Sequence, residues 1–398
     1  MRYPIMNNFF KIHDNLLRNL SPSLRRGLMD EIDWNDRLIG IKGARGMGKT
    51  TFLLDYAREN FGIGNRKCLY INLNQLYFTT ESLVNFAGEF VKQGGEVLLL
   101  DQVFKYPNWS IELRQCMELY PDLRIVFTGS TVMRLKEENP ELNGLVTSYV
   151  LNGFSFREFL NLKTGLSLQP YSFDEIVSNH EQIAPRILEQ VNPLDWFQDY
   201  LHHGYYPIFL EDKNYSESLL KTLNMTLEVD VLFIRQIEQR FLHKLRKLLY
   251  LLGQRAPGSL NISSIAKEVD TSRTTITNYL KYLSEARLIK ELHREEETGA
   301  KKPAMIYLDN TNVGYVIQPE PLNYIDVLKT FFLNQVKSRN EVCLGSRSQI
   351  AFCVNRQYQF CIDEKMSRRY RPDRYYAIQN MRSGTRNMIP LWLFGFLY

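Results

Sequence analysis

Eight consecutive residues, Gly43-Ala44-Arg45-Gly46-Met47-Gly48-Lys49-Thr50, fill every fixed position of the pattern GxxxxGK[ST]. The chemistry of that pattern is the capture of a polyphosphate. Its glycines let successive backbone N–H groups curl around phosphate oxygens, Lys49 brings a point charge to the β and γ oxygens, and the Thr50 hydroxyl is a ligand for magnesium. Thr51 completes the expected contact set at the start of the next helix. The loop works only between a buried strand and a helix, and both are legible. Leu38-Ile39-Gly40-Ile41-Lys42 precedes it and Thr51-Phe52-Leu53-Leu54-Asp55-Tyr56-Ala57 follows it.

Such a site needs a second element, an acidic residue at the end of another buried strand. Val97-Leu98-Leu99-Leu100-Asp101 supplies one, and Asp101 is expected to hold magnesium through water. ATP and magnesium are therefore the expected cofactors, with Lys49, Asp101 and Gln102 as the catalytic set. A glutamate after the aspartate would position and polarise the attacking water. Gln102 stands there instead, and an amide orients water without accepting its proton, so hydrolysis is expected to be slow or absent while binding survives. A third strand ends Phe127-Thr128-Gly129-Ser130-Thr131. Thr128 or Ser130 is a candidate sensor of the γ-phosphate, and a helix cap is the competing reading. Arg134 reads as a helix-surface arginine.

These residues must be carried by a sheet. Leu38-Ile39-Gly40-Ile41, Cys68-Leu69-Tyr70-Ile71, Val97-Leu98-Leu99-Leu100 and Arg124-Ile125-Val126-Phe127 are short apolar runs ending near turn residues, with helical stretches at 50–60 and 81–92 between them. That is the pattern of parallel strands covered on both faces by crossover helices. Beyond about Gly153 long amphipathic stretches take over, among them 194–201 and 215–251, which predicts a helical region. Pro257-Gly258-Ser259 and Pro319-Glu320-Pro321 punctuate the remainder.

A chain of 398 residues predicts two to four domains, and 44% hydrophobic with 23% charged residues is an ordinary globular composition. The net charge of +5, from 49 basic and 44 acidic residues, permits a local basic face without demanding one. Cys68, Cys116, Cys343, Cys353 and Cys361 are scattered and odd in number, which points away from a disulfide framework or a zinc site. No signal-like N-terminus or spanning run is present, so a cytoplasmic protein without membrane contact is expected. His202 and His203 are adjacent and cannot face one way on a helix, so they read as packing or surface residues.

The chain resembles the prokaryotic AAA-type ATPases with a C-terminal winged helix and a restriction-endonuclease-like tail, relatives of the signal-transduction ATPases. The resemblance rests on residues 43–51, on Leu99-Leu100-Asp101 followed by Lys105-Tyr106-Pro107-Asn108-Trp109-Ser110, and on Phe127-Thr128-Gly129-Ser130. It continues in Phe154-Ser155-Phe156-Arg157-Glu158-Phe159-Leu160, Gly204-Tyr205-Tyr206-Pro207 and Ile389-Pro390-Leu391-Trp392-Leu393-Phe394-Gly395. It implies an α/β fold: a P-loop parallel-sheet ATPase domain (1–160), a helical lid (161–250), a winged-helix domain (251–318) and a small α/β restriction-endonuclease-like domain (319–398). The departures are informative. The usual Asp-Glu pair is Asp101-Gln102, and the family's paired arginines are replaced by Asn143-Gly144-Leu145. In the tail, Ala351 and Cys361 stand where relatives carry carboxylates, which removes hard oxygen ligands for magnesium. Asp363, Glu364 and Lys365 then read as solvated charges, and the tail as a structural or interaction domain.

Within 251–318, Asn261 or Ser263 caps a helix through Val269, Asp270-Thr271-Ser272 makes a turn, and a second helix runs to about Ala286. Ile276, Leu280 and Leu283 mark its buried face, and Arg273, Thr277 and Lys281 its polar one. That polar face suits a major groove, with Lys301-Lys302 on phosphate, whereas Glu295-Glu296-Glu297 opposes it. DNA and a protein partner, a second copy of the chain included, remain open. The expected activity is a nucleotide-dependent switch binding ATP or ADP; a non-hydrolysing, nucleotide-stabilised scaffold or DNA-binding protein is the alternative, and a nuclease a distant third.

Overall fold

The computed structural model describes residues 3–21, 24–133, 135, 139–211, 214–295, 303–318, 320–345, 350–363 and 373–398. It divides into two units, residues 1–152 and 153–398.

The first unit begins with helix α1 (Tyr3–Arg18) and a single turn, α2 (Leu28–Glu31). Strand and helix then alternate: β1 (Leu38–Lys42), α3 (Lys49–Asn60), β2 (Cys68–Asn72), α4 (Leu83–Lys92), β3 (Val97–Asp101), α5 (Trp109–Leu119), β4 (Arg124–Gly129) and β5 (Thr147–Val150). All pairings are parallel and the strand order is β2-β3-β4-β1-β5. β3 is buried at every position, as expected for a central strand covered on both faces. The edge strand β5 alternates half-buried and exposed, and its mixed composition hid it from the sequence pattern. Ile39, Ile41, Leu53, Leu99 and Val126 form the core between the sheet and α3. Each such side chain contributes about 1.5–3 kcal/mol through burial. The parallel register aligns the strand C-termini, with Asn72 opposite Asp101 and Lys42 opposite Gly129. In open parallel sheets ligands bind at that end.

The second unit opens with α6 (Phe156–Thr164), α7 (Phe173–Leu188), α8 (Leu194–Asp199), α9 (Tyr215–Met225) and α10 (Leu242–Arg255). The long amphipathic stretch at 215–251 is thus not one helix. A wide helical turn at Thr226–Phe233 follows α9, and Gln236 then takes a left-handed conformation (φ 52°) before α10 starts. α11 (Ile262–Glu268) and α12 (Arg273–Glu285) come next, capped by the Asn261 and Ser272 side chains. The antiparallel strands β6 (Ile289–Leu292) and β7 (Met305–Leu308) follow. Helices α13 (Thr311–Ile317) and α14 (Tyr324–Val336) lead into a sheet of β8 (Val342–Leu344), β9 (Phe352–Val354), β10 (Tyr358–Ile362), β11 (Tyr375–Ile378) and β12 (Met388–Pro390). Phe156, Ile176, Phe331, Phe360 and Trp392 belong to one core, so α6, α7, α14 and the C-terminal sheet pack as a whole.

Among the described residues no helix is long and apolar enough to cross a membrane. All five cysteines are free and buried.

Candidate nucleotide-binding site

The loop between β1 and α3 has the backbone its glycines predict. Gly46 and Gly48 lie at φ 83° and 82°, and Gly48 sits directly before α3. A side chain in that left-handed region costs about 1–2 kcal/mol. Gly43 is needed for a different reason: a Cβ there would lie 2.9 Å from the Leu151 carbonyl oxygen. Ala44 and Met47 are buried, and Arg45, Gly46, Gly48, Lys49 and Thr51 are partly exposed. The Lys49 ammonium donates to the Gly43 and Ala44 carbonyls at 2.7 and 2.9 Å, folded over the mouth of its own loop.

Asp101, 1% exposed at the end of β3, accepts four hydrogen bonds. Its Oδ2 receives the Thr50 hydroxyl at 2.6 Å and the Tyr70 phenol at 2.9 Å. Its Oδ1 receives the Thr128 hydroxyl and the backbone N–H of Gln102 at 3.0 Å. All four donors are neutral, so the side chain sits within a ring of dipoles with no cation among them. That is a favourable place for a divalent cation, because the desolvation cost of the charge has been met by hydrogen bonds before the ion arrives. The Thr50 hydroxyl gives its proton to Asp101 and keeps lone pairs for a metal. The donor set thus fits magnesium, which Thr50 and Asp101 would hold. Burial, with the adjacent carboxylate as second cause, holds the Tyr70 phenol above its ordinary pKa and keeps it a donor.

Gln102 adopts φ 57° and ψ 44°, a left-handed conformation uncommon outside glycine and asparagine. This turn points its N–H back to both Asp101 Oδ1 and Thr128 Oγ1, the latter at 3.1 Å. Of the two candidate sensors, Thr128 lies in the network. The Ser130 oxygen accepts from the Val132 N–H at 3.4 Å and so serves the local turn. Arg134 lies outside the described residues.

The sequence pattern missed Tyr70, Arg26 and His13. Tyr70 stands two positions before the residue paired with Asp101, on the same strand face, so its long side chain spans the offset. A phenol in an otherwise apolar buried strand was the available signal. The buried Arg26 guanidinium donates to the Met47 carbonyl of the loop at 3.3 Å and to the Asn152 carbonyl at 2.7 Å.

Residues 35–160 match the AAA domain family. The first unit carries an AAA-type P-loop domain. Residues 194–307 match a domain of unknown function (DUF8612). An uncharacterized protein of Methanocaldococcus jannaschii, MJ1637, is 24% identical over 282 residues, covering 67% of this chain. The chain spans 59% of that relative's length. Among solved structures, the Aeropyrum pernix ORC1 protein in complex with DNA superposes with a TM-score of 0.29 at 13% identity, covering 85% of this chain and 94% of that one. The S. cerevisiae Hsp104-ADP complex superposes with a TM-score of 0.31 at 13% identity, covering 81% and 58%. The AAA-type domain begins at residue 35, so α1, α2 and Arg26 precede the matched span.

Elsewhere, Arg273 and Lys281 are exposed on α12, and Thr277 between them is partly buried, its hydroxyl bonded to the Arg273 carbonyl at 3.1 Å. Asp363 accepts from the Gln379 N–H at 3.2 Å, and Cys361 is buried within β10. Glu296, Glu297, Lys301, Lys302, Glu364 and Lys365 lie outside the described residues. The adjacent histidines are packed: His202 stacks on Tyr315 with centroids 3.8 Å apart, and His203 lies against Phe159, Phe209 and Tyr215.

Proposed function

We propose that the chain is an ATP-binding, nucleotide-dependent switch whose hydrolysis is slow or blocked. The observation that carries this reading is the closed set of donors around Asp101, reaching from Thr50 of the loop to Thr128 of β4, with Gln102 at its edge. Residues 43–51 cradle the phosphates, and Lys49 exchanges its loop carbonyls for phosphate oxygens of higher negative charge. When bound, magnesium supplies neutralisation of the phosphate charge. Thr128 stands where a change in the Asp101 shell passes to β4. Gln102 orients water and leaves its proton without an acceptor.

The four-part division of the chain, at 1–160, 161–250, 251–318 and 319–398, is retained as a division of roles. The helices beyond Gly153 act as the lid that transmits the nucleotide state. The order α11, turn, α12, β6, β7 supports a winged-helix reading of 251–318, with Arg273, Thr277 and Lys281 offered to DNA or to a protein partner. The tail is read as a restriction-endonuclease-like fold without nuclease chemistry, and the buried thiols suit a reducing cytoplasm.

Gln102 also supports a second reading, a scaffold in which nucleotide serves stability alone. Binding and turnover of ATP with magnesium, measured beside a Gln102→Glu variant, separate the two. Tight binding without turnover, with hydrolysis appearing in the variant, supports the switch; no hydrolysis in either supports the scaffold.

A further inference from the structure

Tyr70 differs from the other side chains on Asp101 in what it must do when a metal arrives. Thr50 and Tyr70 share Oδ2. Thr50 would also hold the metal, through the lone pairs of its hydroxyl oxygen, while its proton stays on Asp101. Tyr70 is the Oδ2 donor with no such second duty, and its phenol bears on the orientation of that oxygen. Tyr70 is itself fixed from behind. Its backbone N–H donates to Nδ1 of His13 at 3.1 Å, and His13, on α1, is 1% exposed. The other ring nitrogen of His13 is buried without a hydrogen-bond partner, so this one bond accounts for the polar role of the side chain. α1 packs against both β2 and α3, the elements that carry Tyr70 and Thr50.

We propose that α1, acting through His13 and Tyr70, is a positioning element for Asp101 and sets the affinity of the nucleotide site for magnesium. The proposal rests on the nucleotide-binding reading above. A carboxylate has one free torsion at its end, and a metal-bound water accepts only a narrow range of lone-pair directions, so a donor that fixes the torsion acts on the metal and leaves the phosphate contacts of residues 43–49 untouched.

The test uses the full chain and a fluorescent ATP analogue, titrated with magnesium at fixed nucleotide and separately without magnesium, with the apo melting temperature recorded. Tyr70→Phe removes only the phenol oxygen. It is expected to raise the magnesium concentration for half-saturation by about tenfold, as for other partners of metal-holding carboxylates, with magnesium-free affinity within about twofold of wild type. His13→Ala is expected to act in the same direction, and His13→Asn, whose Oδ1 takes the place of Nδ1, to recover most of the loss. An unchanged half-saturation in Tyr70→Phe overturns the proposal, and so does an equal loss of magnesium-free affinity, which would mark Tyr70 as structural. If His13→Ala fails to fold, Tyr70→Phe and His13→Asn decide. A wild-type chain that binds no nucleotide defeats the site reading itself, an outcome distinct from a magnesium-specific failure.

Discussion

Asp101→Asn takes the charge out of the centre of the network and nearly preserves its shape. With the amide oxygen placed at Oδ1, the bonds from Thr128 and from the Gln102 N–H are retained. The amide nitrogen then faces the hydroxyls of Thr50 and Tyr70, which can rotate and accept. Two bonds reverse and none is lost. Weakening charge-assisted bonds to neutral ones costs about 1 kcal/mol each, and the burial of an ion is relieved in return. The apo protein is therefore expected to stay within about 2 kcal/mol of wild type. Ligand linkage should behave differently. A nucleotide at one hundred times its Kd stabilises its host by about 2.7 kcal/mol, or about 5–10 °C for a unit of this size. In thermal melts with ATP, wild type is expected to gain that shift with magnesium and less of it with chelator; the variant should show the chelator value under both conditions. A full magnesium-dependent shift in Asp101→Asn would refute Asp101 as the metal-holding group. A collapse of the apo protein by more than about 4 kcal/mol would refute the claim that the network closes around an amide.

Other perturbations follow from the same geometry. Lys49→Ala should abolish nucleotide-induced stabilisation and leave the apo melting temperature within a few degrees, because Lys49 is itself partly exposed and its two bonds to the loop carbonyls are local. Gly48→Val, at φ 82°, should cost about 1–2 kcal/mol in chemical denaturation and distort the loop enough to lose nucleotide binding. Burial, opposed by Asp14 and reinforced by Arg66, lowers the His13 pKa. The unfolded chain therefore binds that proton more readily, and stability should fall as pH drops from neutrality through 6.5, a loss that His13→Asn removes in pH-dependent melts. In the second unit, burial lowers the Lys290 ammonium to about 8 despite its pairing with Asp309. Its contribution to stability should rise with pH between about 8 and 10.5, where only the unfolded chain holds the proton. Asp309→Asn alone should cost about 3–5 kcal/mol, and the double variant with Lys290→Met less, since removing one partner strands a buried charge.

The parts of the fold that were legible are those in which local pattern and burial coincide. β1 to β4 are apolar runs buried on both faces, and the sequence placed them within a residue or two of their observed limits. The 43–50 loop was legible because the need for glycine at φ above zero restricts the sequence itself. Elements whose stability comes from tertiary contact were hidden. β5 has too few apolar residues to announce a strand, and the contact of His13 on α1 with a backbone amide leaves no mark in a local pattern. Several strings that carried the family resemblance prove to have local structural roles. Ser155 and Glu158 form a capping box at the start of α6. Tyr205 donates its N–H to the Asn312 side chain at 2.9 Å. The Leu391–Phe396 turn is wholly buried. The ring around Asp101 could not be read from spacing, because its members come from α3, β2, β4 and the turn after β3, and only the strand register together with the loop into α3 brings them together.

The left-handed turn at Gln102 separates two jobs that share one residue. Its backbone is committed to Asp101 and Thr128 whatever side chain it bears, and glutamine and glutamate tolerate that conformation equally poorly, so exchanging them leaves the fold's energy almost unaltered. Their codons differ by a single base. On the switch reading proposed above, a lineage carrying this turn would cross between a timer that runs down and a latch that stays set in one mutational step, with the loop that loads the nucleotide left as it was.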